Sequence, residues 1–347
     1  MAQEIDLHSL VAWFKQHKRD FPWRKSPTPY HVWVSEVMLQ QTQASVVVGY
    51  FKRWMQLFPS LQSLASSPEE QVIKAWEGLG YYQRVRALQK AAIKIVEEKE
   101  GKIPQEEEDL LALPGIGKYT AAAILSFGFG KKAAAVDVNV ARVISRLYML
   151  SIRKRDIDKV IPIVEKLLPE NKPSLVMEAL IELGALVCKK TPDCPLCPIK
   201  KECLSYKKGQ QLYYPLKEAK PPITYLHRKV WVLVCHKEGK SFILLKKNDQ
   251  GKRMQGLFQF PWVEKGRQDA LFDNLKEGAP LPPVKHGFTR FSATLYPELF
   301  FVESCQDFEG YKWVEWKDVE NLPFCSGHRK IVKKLQALKK EEFIQVK

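Results

Sequence analysis

Two carboxylates and four thiols are the side chains of this sequence best placed to do chemistry. Glu36 lies in the run Trp33-Val34-Ser35-Glu36-Val37-Met38-Leu39, and Asp137 in Val136-Asp137-Val138-Asn139-Val140. A carboxyl in apolar company is partly desolvated, so its pKa rises and it can serve as a general acid. A structural salt bridge is the alternative for Glu36, and a hydrogen-bonded structural carboxylate the alternative for Asp137. Cys188, Cys194, Cys197 and Cys203 fall within sixteen residues, a loop short enough for four thiolates to converge on zinc or on a [4Fe-4S] cluster. Cys235, Cys305 and Cys325 are scattered and odd in number. That pattern suits a metal site in a reducing compartment better than a disulfide framework. The run Leu113-Pro114-Gly115-Ile116-Gly117-Lys118-Tyr119-Thr120 permits a tight turn whose free N–H groups, at the start of the next helix, can hold a phosphate without reading a base. An ordinary helix connection would use the same glycines.

The elements that must position these groups are helical in the first half. From residue 5 to about 187 apolar residues recur at helical spacing, as in Leu110, Leu111, Leu113, then Tyr119, Ala122, Ala123, Ile124 and Phe127. Ser67-Pro68-Glu69-Glu70 predicts a helix start, with Ser67 as the cap, Pro68 in the first turn and a reciprocal glutamate. After Cys203 the texture changes to a basic, proline-bearing connector at 206–224 containing Lys207, Lys208, Gly209, Pro215, Lys217, Lys220, Pro221 and Pro222. Short β-type runs follow at 229–234, 242–245, 293–296 and 299–302, and a helical tail at 328–338.

A chain of 347 residues has room for two domains of ordinary size. Its formal charge of +16 favours a polyanionic partner, although a merely soluble basic protein would carry the same charge. The first thirty residues mix charges among the apolar positions, which does not read as a secretory signal. No run reaches the roughly 18 apolar residues of a spanning helix, so a soluble, cytoplasmic protein is expected.

The order Leu-Pro-Gly-Ile-Gly-Lys at 113–118, Val-Asp-Val-Asn-Val-Ala-Arg-Val at 136–143 and then the four cysteines resembles the helix-hairpin-helix DNA glycosylase superfamily, in its endonuclease III-like branch. Within that branch, the run from Trp33 to Gln43 and Gly78-Leu79-Gly80-Tyr81-Tyr82 resemble the adenine-specific glycosylase (MutY) family. The likeness runs from about residue 8 to 203. It implies a multidomain protein: an all-α helix-hairpin-helix glycosylase core with an iron–sulfur cluster loop at 1–205, a basic linker at 206–224, and a C-terminal α+β Nudix-like domain at 225–347.

The resemblance implies hydrolysis of the bond between sugar and adenine in double-stranded DNA carrying adenine opposite 8-oxoguanine or guanine, by a monomer that needs no membrane. Glu36 would protonate the departing base. Asp137 would stabilise the positive charge growing on the sugar, directly or through a covalent stage, with Asn139 orienting it and the attacking water. Strand-cutting relatives carry a Schiff-base lysine where this chain has Tyr119, which implies a monofunctional enzyme that leaves an abasic site. Lys118 points away by about 100 degrees of helix turn and reads as a phosphate contact beside Gly115 and Gly117. Gln41 and Tyr81 would wedge the duplex, while Arg19, Trp23, Arg24 and Glu178 surround the extruded adenine; Trp23 could equally pack a core. Cys188, Cys194, Cys197 and Cys203 would hold a [4Fe-4S] cluster shaping a DNA-binding loop, with Lys189, Lys190, Lys200 and Lys201 toward phosphates. The family spaces these cysteines by six, two and five residues; here the gaps are five, two and five.

Gly256-Leu257-Phe258-Gln259-Phe260-Pro261-Trp262 and His286 to Phe291 resemble the Nudix-like domain that the family appends. There the oxidised guanine is read by a Phe-Ser-His loop, and here Phe288, Thr289 and Arg290 stand in those places. A hydroxyl and nitrogen donors are kept, so hydrogen bonding to 8-oxoguanine is preserved in kind. The clustered glutamates of a nucleotide-hydrolysing Nudix box are missing. A catalytically idle DNA-binding protein would have lost Glu36 or Asp137, and an endonuclease III-like enzyme on oxidised pyrimidines would need the lysine that Tyr119 replaces.

Overall fold

The computed structural model describes residues 5–216, 221–248, 254–267, 269, 271–272, 275, 278–288 and 290–338. Contacts divide the chain into two units, Met1–Ser66 with Ala87–Ala219, and Ser67–Arg86 with Lys220–Lys347. The division at 219/220 falls inside the expected connector, of which 217–220 lie outside the described residues. The grouping of Ser67–Arg86 with the C-terminal part is not foreseen by any linear boundary.

The first unit is helical, as the spacing predicts. Its helices are α1 (Leu7–His17), α2 (Pro22–Lys25), α3 (Pro29–Leu39), α4 (Ala44–Leu57) and α5 (Leu61–Ser66). After the excursion into the second unit come α7 (Gln83–Glu98, begun in that unit), α8 (Glu107–Leu111), α9 (Lys118–Ala123), α10 (Val138–Tyr148), α11 (Ile161–Leu167), α12 (Pro173–Leu186) and α13 (Leu204–Lys207). Caps fix several starts. Thr28 accepts from His31 N with Pro29 in the first turn of α3, and Asp6 accepts from Ser9 N at α1. Helix α3 is apolar nearly all round and buried from Val32 to Met38, which makes it a central helix rather than a surface one. Helices α10 and α12 pack with α1 around Leu10, Phe14, Val140, Ile144, Met177, Leu180 and Leu183.

Between α8 and α9 lies the hairpin. Gly115 takes φ +76°, and a Cβ there would stand 2.5 Å from the Cβ of Ala87. Glycine at this position therefore serves both the turn and the close approach to α7. Gly117 is extended and caps α9, so it needs no left-handed freedom.

The second unit contains α6 (Glu69–Ala75), a mixed sheet, α14 (Trp316–Val319) and α15 (Ser326–Ala337). Strands β1 (Thr224–Lys237) and β7 (Phe291–Val302) form its parallel centre; β2 (Lys240–Lys247) and β4 (Trp262–Glu264) pair antiparallel with β1. Strands β3 (Phe258–Gln259) and β8 (Lys312–Glu315) flank β2, and β5 (Ala279–Pro280) and β6 (Val284–Phe288) flank β7. Alternation along β1 sends Val230, Val232 and Val234 to a core shared with Ile331, Val332 and Leu335 of α15, and Trp231 and Leu233 to another with Phe272 and Phe300. Both faces are covered, which is why the run reads as continuously apolar.

Three local expectations change. Helix α6 starts at Glu69 with Pro68 at the cap; Pro68 is still extended, so Ser67 sits one residue too early to cap. The runs at 293–296 and 299–302 are one strand through Pro297, whose carbonyl still accepts from Leu281 N. Cys235 is disulfide-bonded to Cys305. The register brings Cys235 opposite Val302, an adjacency between distant segments that cysteine counting does not reveal. No helix among the described residues is long and apolar enough to cross a membrane.

Candidate active site

A cavity of about 680 Å³ opens in the first unit, and Glu36, Asp137, Asn139, Tyr119, Arg19, Trp23, Arg24, Glu178 and Gln41 all line it. Its volume lies within the roughly 300–1,000 Å³ usual for small-molecule clefts. Leu39, Phe127, Val136, Val138 and Ile181 supply apolar wall.

Glu36 comes from the buried face of α3 and is 8% exposed. Its Oε2 accepts a 2.8 Å hydrogen bond from the Tyr119 hydroxyl. Burial pushes its carboxyl up to about 7, against that hydrogen bond, with the charge of Asp137 pushing the same way as burial. Burial and the neighbouring Glu36 hold the Tyr119 hydroxyl well above its ordinary range, so it stays a donor.

Asp137 is the side-chain cap of α10. Its Oδ1 accepts from Asn139 N at 2.9 Å and Val140 N at 2.8 Å, and its Oδ2 from Asn139 Nδ2 at 2.6 Å. Burial raises its pKa, and these three donors oppose the rise. N–H donors that cannot turn away favour the ionised form, so of the two carboxyls Glu36 is the one that keeps a proton. The Asn139 amide is fixed by its other end: Oδ1 accepts from Arg142 Nη2 at 2.8 Å, and Arg142 also binds Gly184 O at 2.8 Å and Cys188 O at 2.7 Å. A Cβ at Gly184 would lie 2.7 Å from Asn139 Cβ, so only glycine lets α12 come this close.

The opposite wall is an ion-pair network. Arg19 grips Glu182 with Nε at 2.9 Å and Nη2 at 3.0 Å; Arg24 reaches Glu182 at 2.8 Å and Glu178 at 3.1 Å. Phe21 stacks on Trp23, and both guanidiniums lie over the Phe21 ring. Trp23 is buried and lines the cavity, so its packing role and its site position coincide. Glu182 is the residue that sequence reasoning missed. Its signal was present, because it stands four residues after Glu178 in an apolar helix and therefore on the same face.

Other expected residues lie elsewhere. Gln41, already named on the cavity, takes φ +61° just past α3; the remaining ones do not line it. Tyr81 belongs to the second unit, with φ +49° and a half-exposed ring. Lys118 is exposed and paired with Asp158 at 2.6 Å. In the second unit Arg290 follows β6, exposed, its carbonyl accepting from Thr224 N at 2.9 Å. Thr289 and the side chain of Phe288 lie outside the described residues.

Cys188, Cys194, Cys197 and Cys203 surround a second, small cavity of about 30 Å³ with Arg146 and Lys200. None is in a disulfide. Arg146 donates to Cys188 Sγ at 3.3 Å and to the carbonyls of Lys189 and Lys190. Among the described residues no three His, Cys, Asp or Glu side chains gather around the position of a single metal ion.

The environments of Glu36 and Glu182 make opposite forecasts. The folded-state pKa of Glu36, about 7, lies above its ordinary 4.5. The folded protein thus holds a proton that the unfolded chain gives up, and stability drops as pH rises between those values. Glu36→Gln should match the parent at pH 4 and exceed its stability by up to about 3 kcal/mol at pH 8, read as Tm at both pH values; an equal Tm difference at the two contradicts a buried protonated acid. Glu182, with a fully buried side chain, should behave otherwise. Glu182→Gln removes the carboxylate partner of Arg19 and one of the two of Arg24 and should cost about 3–5 kcal/mol, well above Glu178→Gln, whose carboxylate is 24% exposed; equal Tm losses in the two variants contradict this.

Residues 34–170 match the HhH-GPD superfamily base excision DNA repair protein family, and residues 230–334 match a NUDIX domain. The adenine DNA glycosylase of Buchnera aphidicola subsp. Baizongia pistaciae is 31% identical over 94% of this chain and 94% of its own length. The human adenine DNA glycosylase is 42% identical over 58% of this chain and 40% of its own. Among solved structures, a thermostable thymine-DNA glycosylase is 29% identical with a TM-score of 0.55, covering 58% of this chain and 95% of that one. Endonuclease III in a non-covalent DNA complex is 26% identical with a TM-score of 0.51, covering 59% and 96%. Since the likeness to the Buchnera enzyme runs nearly end to end and the endonuclease III-like fold underlies its helical half, this chain belongs to the adenine DNA glycosylase family of the HhH-GPD superfamily.

Proposed function

We propose that this protein removes adenine paired with 8-oxoguanine or guanine in double-stranded DNA, by hydrolysis and without cutting the strand. The observation that carries the reading is a buried Glu36, whose pKa burial raises, and a hydrogen-bonded Asp137 lining one cavity. Adenine leaves poorly as an anion. Glu36 donates its proton to a ring nitrogen, the bond from that base to the sugar C1′ breaks with its electron pair going to the base, and Asp137 offsets the positive charge left on the sugar. Water adds to C1′, and its proton replaces the one Glu36 gave up. Asn139, its amide held by Arg142, keeps Asp137 pointed inward. Arg24, Trp23 and Glu178 offer an aromatic face and both donor and acceptor edges to an extruded purine. Tyr119 holds Glu36 and has no amine, so no Schiff base forms there.

Lys118, Gly115 and Gly117 meet the phosphate backbone. The exposed pair of Lys118 with Asp158 is worth little in water, so a phosphate can replace the carboxylate. Gln41 and Tyr81 fill or wedge the vacated stack, and Phe288, Thr289 and Arg290 face the base opposite adenine. The four cysteines fit a [4Fe-4S] cluster: the donors are all thiols, they share one cavity, and Arg146 and Lys200 offset negative charge. Bound there, the cluster supplies no step of the hydrolysis and shapes the loop carrying Lys189, Lys190, Lys200 and Lys201.

End-labelled duplexes carrying adenine opposite 8-oxoguanine, adenine opposite guanine, or thymine glycol test the reading. Breakage of the adenine strand only after alkali, no trapping by borohydride, and loss of release with retained duplex binding in Glu36→Gln are expected. Strand cleavage at thymine glycol without alkali, or undiminished release by Glu36→Gln, overturns it. Iron and labile sulfide should co-purify in a ratio of one to one; zinc in their place refutes the cluster assignment.

A further inference from the structure

Residues 67–86 fall inside the stretch that matches the glycosylase family, yet they group with the C-terminal unit. The contact that does this centres on Glu77. Its carboxylate takes Arg329 Nε at 2.5 Å and Nη2 at 3.0 Å, Lys74 Nζ at 2.9 Å and Phe324 N at 3.2 Å. Both charges are largely enclosed, the Glu77 side chain being 13% exposed and that of Arg329 14%. The neighbours reinforce it: Lys74 Nζ donates to the carbonyls of Glu320 and Leu322, and the Tyr82 hydroxyl to Phe324 O at 3.4 Å.

Immediately after Glu77 comes the turn bearing Tyr81. Gly78 and Gly80 have φ +101° and +70°, and Tyr81 itself +49°, a conformation a tyrosine holds only when its surroundings impose it. Within the turn, Trp76 Nε1 binds Gly80 O at 3.0 Å, while Arg84 binds Leu79 O and Gly80 O and lies over the Trp76 and Tyr81 rings. A continuous chain of contacts therefore runs from Arg329 on α15, through Glu77, into the turn that presents a half-exposed aromatic ring.

We propose that Glu77 and Arg329 are positioning residues for Tyr81, so that the C-terminal domain acts on the mispair by holding a turn of the glycosylase sequence as well as through its own residues Phe288, Thr289 and Arg290. The proposal rests on the reading of Tyr81 as a wedge in an adenine glycosylase. The clamp is charge-assisted and bidentate, and its loss frees the turn while leaving Glu36 and Asp137 untouched, so the effect falls on engagement of the mispair and not on protonation of the base.

The experiment is a double-mutant cycle in the full-length protein. Tyr81→Ala, Arg329→Met and the double variant are compared for single-turnover adenine release and duplex affinity with adenine opposite 8-oxoguanine and opposite guanine. Each single variant should lose about tenfold in affinity for the mispaired duplex, and the double variant should lose no more than Tyr81→Ala alone. The pH dependence of release should be unchanged in all three, and Arg329→Lys should recover part of the loss. Glu77→Gln, which breaks the clamp without altering the C-terminal domain, should also be silent in the Tyr81→Ala background and guards against misfolding in Arg329→Met. Losses that multiply in the double variants, or parental behaviour of Arg329→Met and Glu77→Gln beside a defective Tyr81→Ala, overturn the proposal while leaving the wedge intact. Parental behaviour of Tyr81→Ala removes the wedge and the proposal together, whereas absence of adenine release by the parent removes the functional reading itself.

Discussion

A carboxylic acid kept neutral in a cleft is the constraint on which the rest of the site depends. Three glutamates face one cavity and its wall, and they differ in what touches them. Glu182 is clamped by two guanidiniums and fully buried, so it anchors the wall. Glu178 shares Arg24 but keeps a partly open face, and burial still raises its pKa. Glu36 has the neutral Tyr119 hydroxyl as its hydrogen-bond partner, and the repulsion of Asp137 outweighs the attraction of Arg24. One side-chain chemistry thus yields an anchor and an acid, sorted by the number of positive partners each finds.

Holding that difference requires a frame that cannot relax. If Asp137 could turn toward Glu36 and share its proton, the two roles would merge. It cannot, because two backbone N–H groups at the start of α10 and the Asn139 amide take its oxygens. The amide cannot flip, because Arg142 occupies its carbonyl end. Arg142 is in turn fixed by carbonyls of α12 and of the first cysteine. The orientation of one carboxylate is therefore tied, through Arg142, to the backbone at the start of the cysteine-bearing loop.

Much of this was legible in the sequence because it rests on local patterns. A carboxyl among Trp33, Val34, Val37 and Met38 announces its own desolvation, and Asp137 followed by an apolar helix announces a cap. The helical and strand-bearing halves followed from periodicity alone. What stayed hidden depends on pairing between distant segments. The spacing of Glu182 from Glu178 is legible, but its full burial follows only from the packing of α12 on nearly all sides. The Cys235 to Cys305 bond follows from strand register, and the continuity of β7 through Pro297 from pairing on both of its sides. The grouping of 67–86 with the C-terminal unit is the extreme case, since α6 and its turn look helical and ordinary by themselves.

The left-handed residues separate structural from functional strain. Gln41, Tyr81, Glu100, Met149, Lys172 and Glu238 all have positive φ. Met149 ends α10, a place where a chain leaving a helix commonly turns this way, and Lys172 precedes α12. Gln41 also follows a helix end, where glycine would be the cheaper residue. There a longer side chain lines the cavity instead. Tyr81 directly follows Gly80, and Gly78 and Gly80 already take positive φ in the same turn. A side chain kept at about 1–3 kcal/mol of backbone cost beside residues that avoid the cost implies that the side chain itself is needed, in one case toward the cleft and in the other toward solvent. Around Tyr81 the largely enclosed Glu77 pair and Arg84 over the ring place strain and ordered contacts in the same few residues.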